Sequence, residues 1–207
     1  EISECLVGSE MCIRDSEGLR EPRLSRLTML QQMYGRVRQF VRAVTQHMGE
    51  ADHAFVRANL PAKALPLFYA MHPADQVHAR NAAYTARALA ERHGLPEEQR
   101  AFLIRCALLH DVGRRRGDLD ILGKVFAVLM MHYLPHASER LMEHEGRLGH
   151  ALYVYRHHPA IGAALLREIG MAEEARIIER HHMADDMADA AGDRQVLRLL
   201  READARN

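Results

Sequence analysis

Residues 101–116, AFLIRCALLHDVGRRR, constrain the fold more than any other stretch. An apolar helical run stops abruptly at His110-Asp111, and Gly113 follows. An imidazole beside a carboxylate at the end of a buried helix is costly to desolvate unless something pairs with both. A divalent metal does so, because it takes neutral imidazole and ionised carboxylate together. Residues of matching chemistry stand at His78, His158, His181, His182 and Asp204. The fold therefore has to gather widely spaced segments around the end of one buried helix.

Composition narrows the fold class. The 207 residues suit one medium domain, or one domain with an extension. Gly and Pro are sparse, Ala, Leu and Arg are abundant, and β-branched runs are nearly absent, which reads as mostly helical. Hydrophobic and charged contents of 48% and 27% are those of a soluble globular protein. A formal net charge of zero gives no reason to expect a nucleic-acid polymer or a membrane surface as partner. The longest apolar run, Val125–Leu134, is far short of the roughly 20 residues a membrane helix needs.

The first sixteen residues, EISECLVGSEMCIRDS, have no amphipathic period and no initiator Met, and they hold Cys5 and Cys12. The run CLVGSEMCIRDS resembles the translated read-through of a sequencing adapter, so residues 1–16 are set aside as an assembly scar. A genuine disordered N-terminus is the competing reading. Removing Arg14 and the acids Glu1, Glu4, Glu10 and Asp15 from the 28 basic and 28 acidic residues leaves 27 against 24. Translation is expected to begin at Met29 or Met33. Cys106 alone then remains, as a small core residue, and a reducing cytoplasm is expected.

Apolar spacing predicts an amphipathic helix over 27–48, a short one over 51–59 and a third over 62–70. These make an N-terminal helical extension, residues 17–71, ahead of a domain spanning 72–207. Pro73 opens a helix that runs to about Arg92, with Asp75 in its N-cap region. His93-Gly94 stops it, and Leu95-Pro96 starts the helix that ends at His110-Asp111. Beyond a basic, glycine-broken loop, helices are expected over 125–134 and 138–145. A turn at His158-Pro159 is expected to precede a helix from Ala160 to Ile169, stopped by Gly170. Helices over 172–182 and 193–205 complete an all-α bundle.

Taken in order, the motifs resemble the HD superfamily of metal-dependent phosphohydrolases. ALLHDVG is similar to that family's helix-ending ALLHDIG, HPAIG to its later H-P-x-x-G element, IIERHHM to its I-x-x-H-H, and READA to its terminal A-D. The resemblance covers roughly residues 72–207 and is nearest to the binuclear branches, the HD-GYP and membrane-anchored cyclic-dinucleotide phosphodiesterases. It implies an HD-type helical bundle. It also implies that His78, His110, Asp111 and Asp204 hold a first metal, that Asp111 bridges, and that His158, His181 and His182 serve a second. Nitrogen and carboxylate ligands without thiolate suit Fe or Mn, with Mg as a third option. His181 and His182 point about 100° apart on a helix, so both reach one site only if the helix ends there.

Two departures bear on substrate. Arg114 stands where the cyclic-di-GMP group usually has Lys, and MADDMADAAGD stands where that group has Gly-Tyr-Pro. The second argues against cyclic-di-GMP. Arg114, Arg115, Arg116 and Lys124 form a basic patch suited to an anionic substrate, with Asp185 and Asp186 either partners of the paired histidines or a solvated acidic loop. The expected activity is hydrolysis of a phosphomonoester or phosphodiester, of a nucleotide class, by a metal-bound hydroxide. Asp111, Arg114 and Lys124 would carry the catalysis. The alternative is an HD-fold module that binds a nucleotide without turnover.

Overall fold

The computed structural model describes residues 47–118, 134–144, 146–183 and 191–207, with scattered positions between 123 and 131. All of them belong to one unit, residues 39–207. The run 1–16, residues 27–46 of the helix expected over 27–48, Lys124, Asp185, Asp186 and parts of the Val125–Leu134 run lie outside the described residues; His47 and Met48 are described and are not helical.

The described helices are α1 (Glu50–Asn59), α2 (Leu65–Ala70), α3 (Pro73–Arg92), α4 (Glu97–Leu109), α5 (Pro135–Met142), α6 (Arg147–Glu168), α7 (Ala172–Arg180) and α8 (Ala191–Ala205). The fold is all-α. Among the described residues the only β-type pairing is an isolated bridge between Met71 and Arg115.

Helix α4 is the hub, packing against α1, α2, α3, α7 and α8. Its sequence explains this. Leu103, Ile104, Cys106, Ala107, Leu108 and Leu109 are buried, a distribution that leaves Arg105 alone partly exposed in its C-terminal half. A helix apolar on nearly all sides must be surrounded. The same core runs from Val56, Leu60 and Phe68 through Leu166, Ile177 and Ile178 to Leu199, Leu200 and Ala203. Ion pairs stitch its rim: Arg80 to Asp52 at 2.6 Å, Arg105 to Glu174 at 2.9 Å and Arg176 to Asp193 at 2.9 Å.

Pro73 opens α3 and His93-Gly94 closes it, as the sequence predicts. Gly170 (φ 69°) stops α6, with Met171 N–H donating to Leu166 O at 2.9 Å in the six-to-one bond of such a cap. Three expectations are corrected. The N-cap of α3 is His72, whose Nδ1 accepts from Ala74 N–H at 3.2 Å, while Asp75 is buried inside the first turn. Pro135 opens α5 rather than only ending the segment before it, because a missing N–H costs nothing at the first helical position. There is no turn at His158-Pro159: α6 runs unbroken through Pro159. The physical reason lies in the site.

Candidate metal centre

Three histidines are fixed in the same way. Helix α4 ends at Leu109, so its last carbonyls lack intrahelical donors, and His110 Nδ1–H donates to Ala107 O at 2.9 Å. Helix α7 ends at Arg180, and His181 Nδ1–H donates to Ile178 O at 2.6 Å. In α6, Pro159 has no N–H for the carbonyl four residues back, that of Tyr155. His158 Nδ1–H supplies the missing donor at 2.7 Å, which is how the helix tolerates its proline. Each ring thus spends its Nδ1 proton on a carbonyl three residues earlier and turns the Nε2 lone pair into the site. The Nε2 atoms of His110 and His181 are fully buried and have no hydrogen-bond partner. A histidine serving only as core would have both nitrogens engaged.

The side chains form two groups. His78, His110 and Asp204 present ligand atoms within 4.8 Å of one another, and so do His158, His181 and His182. In the first, His78 Nε2 lies 2.8 Å and His110 Nε2 3.5 Å from Asp204 Oδ1. In the second, His182 Nε2 lies 3.2 Å from His158 Nε2. Asp111 stands between them: Oδ2 is 3.6 Å from His110 Nε2, and Oδ1 is 3.3 Å from His158 Nε2. Because α7 stops at Arg180, His181 and His182 both reach the site, their ring centroids 3.9 Å apart. His157, by contrast, is half-buried against Tyr153 and takes no part.

Electrostatics separate the two groups. Burial, and then the Arg114 guanidinium, push His158 down to about 2. Burial, and then the charge of His110, push His181 down to about 3. Both are neutral at pH 7. Burial opposes charging His110 too, but the Asp111 and Asp204 carboxylates outweigh it and raise its imidazole to about 9. Burial would raise Asp111, yet Arg114, His110 and His158 hold it well below the usual carboxylate range. Asp204 is likewise held down against burial, by the His110 imidazole 3.5 Å away and by its hydrogen bond with His78. Ionised carboxylates, neutral imidazoles and two orphaned Nε2 atoms suit a divalent cation, which would take the place of the proton on His110.

A family model of the HD domain matches residues 76–206, from just before His78 to just past Asp204. The chain belongs to the HD domain family. HD domains bind divalent metals, and the family consists mostly of metal-dependent phosphohydrolases. No curated protein and no solved structure matches the chain.

The glycines of the HD domain motifs act as a pair. A Cβ on Gly113 would stand 2.1 Å from His158 O, and one on Gly162 would stand 3.1 Å from Gly113 N. The loop after His110-Asp111 therefore lies directly on α6, which brings Asp111 to His158. Arg114, on the same loop, donates to Asp111 Oδ2 at 2.9 Å and to His158 Nε2 at 3.1 Å, above the Tyr155 ring. Sequence reasoning missed three participants. Tyr155 supplies the His158 carbonyl partner, which Pro159 four residues later could have announced. Asp75, whose charge bears on Arg114, sits one turn before His78 on the same face of α3. Arg201 donates to the carbonyls of His181 (2.8 Å), Arg180 (3.0 Å) and Met183 and so holds the end of α7, with no local signal to reveal it.

Proposed function

We propose that this HD domain is a metal-dependent phosphohydrolase acting on a phosphomonoester or phosphodiester, of a nucleotide class. The observation that carries the reading is the pair of buried, unpartnered Nε2 atoms on His110 and His181, one in each of two donor groups flanking a single carboxylate. His78, His110 and Asp204 would hold one cation with one oxygen of Asp111, and His158, His181 and His182 a second with the other. The donor set favours Fe or Mn, with Mg as a further candidate. A bound pair of such ions supplies a water nucleophile at neutral pH and Lewis acidity toward phosphoryl oxygens.

The chain's own residues do the remaining work. Asp111, anchored by Arg114 at 2.9 Å, keeps the two donor groups in register. The Arg114 guanidinium is planar and always charged, and its fork suits two phosphoryl oxygens at once. Tyr155 lies beneath it, with the guanidinium carbon 5.5 Å from the ring centroid, and limits its tilt. Exposed His182 stands on the solvent side of buried His158 and His181, where a substrate would approach. Lys124 is assigned, on sequence grounds, to developing negative charge.

The test is a hydrolysis screen of nucleoside monophosphates and of linear and cyclic dinucleotides. It compares chelator-stripped protein with the same protein reloaded with Mn²⁺. Phosphate or mononucleotide release only after reloading is the expected result. Metal uptake and nucleotide binding without release would replace the enzyme by the non-catalytic module.

A further inference from the structure

Arg114 reaches a donor atom that a second metal ion would need, Nε2 of His158, which lies 3.1 Å from its Nη2, with Nδ1 of the same ring at 3.4 Å. Its Nη1 lies 2.9 Å from Asp111 Oδ2, the oxygen that faces His110 and that has a further lone pair to offer. His158 has already given its Nδ1 proton to Tyr155 O, so Nε2 has one lone pair, which serves either an N–H donor or a metal. The guanidinium is well held. Its side chain is 16% exposed, Tyr155 lies under it, and the charges of Asp111 and Asp75 favour its own. The other group differs, since His78 and His110 there meet the Asp204 carboxylate instead of a fixed cation.

We propose that Arg114 is a resident cation competing with the second metal ion, so that the two donor groups load unequally. The group of His78, His110 and Asp204 fills first. The group of His158, His181 and His182 fills only as Arg114 gives up His158. The inference rests on the metal-centre reading above and deepens it: the divalent cation at the second group is exchangeable, and one side chain sets its affinity.

The test titrates the chelator-stripped full chain with Mn²⁺ alone and reads free Mn²⁺ by electron paramagnetic resonance. Wild type should show one tight and one distinctly weaker Mn²⁺. Arg114→Ala should tighten the weaker one by about ten- to a hundredfold, the worth of the charge-assisted hydrogen bond it removes from His158, and move the first far less. Arg114→Gln, which keeps a donor but no charge, guards against a folding defect and should move in the same direction. Arg156→Ala removes a nearby exposed charge paired with Glu139 and should leave both affinities as in wild type. The proposal is overturned if both Arg114 variants leave the second affinity unchanged or weaker. It is equally overturned if Arg156→Ala tightens it as much, or if wild type binds two Mn²⁺ equally well. A wild-type chain that takes up no Mn²⁺ would overturn the metal-centre reading itself.

Discussion

Pro159 has its effect through the carbonyl it leaves free, that of Tyr155, to which His158 Nδ1–H donates at 2.7 Å. Pro159→Ala would return a backbone donor to that carbonyl and make it a contested partner. The expected outcome is a protein at least as thermostable as wild type that binds metal at the His158 group about tenfold more weakly, read by metal titration. Equal metal affinity in the two proteins would show that the hydrogen bond does not orient the ring. Cys106, four residues before His110, is the opposite case: fully buried in the core, with burial pushing its thiol well up. Cys106→Ser should cost about 1–3 kcal/mol by thermal melting, for a hydroxyl in an apolar setting, while metal content stays at the wild-type level. At this scale the sequence was legible where chemistry is concentrated. His110-Asp111 and His181-His182 announce themselves because adjacent ionisable groups at buried helix ends demand a partner. Arg201 was not legible, since an arginine on a helix exposes no clue that its guanidinium will meet carbonyls twenty residues earlier in the chain.

The helices were readable from caps and apolar spacing, and those rules failed where another element supplied what the local rule said was missing. The break expected at Pro159 assumed that a helix losing one hydrogen bond would end, but a side chain of the same helix fills the gap. Contact between elements is equally hidden. HDVG and HPAIG read as separate motifs, yet Gly113 and Gly162 are two sides of one backbone contact between the α4 loop and α6. Gly113→Ala places a Cβ 2.1 Å from a backbone oxygen that cannot move without α6. It should destabilise the protein by about 3 kcal/mol or more in denaturant unfolding and reduce metal content with it. Gly162→Ala meets its nearest atom at 3.1 Å, and a loss of about 1–3 kcal/mol is expected. If Gly113→Ala melted like wild type, the loop would not be clamped on α6 as described.

For the molecule as a whole, the titrating groups of the centre set an optimum for the metal-free protein. His158 and His181 have folded pKa values of about 2 and 3 against an ordinary 6.5. Below pH 6.5 the unfolded chain takes up protons that the folded one refuses, so stability falls toward acid by roughly 1 kcal/mol per pH unit for each histidine. Asp111 and Asp204, both depressed, add to the acid loss below their ordinary 3.8. His110, raised to about 9, works in the other direction: its stabilisation is complete below pH 6.5 and disappears as pH rises through 9. Chelator-stripped protein should therefore melt highest near pH 6.5 and lower on both sides, and a melting temperature rising steadily from pH 6.5 to 9 would contradict the assignment of His110. An HD domain that gathers His78, His110, Asp111, His158, His181, His182 and Asp204 around one point is, on this account, built to hold metal. Elemental mass spectrometry of wild type and Asp111→Ala, both purified without oxygen or chelator, tests that most directly. The account predicts one or two Fe or Mn per wild-type chain and none in a still-helical Asp111→Ala. A folded wild type that is metal-free and cannot be reloaded, or an Asp111→Ala that keeps its full complement, would contradict it.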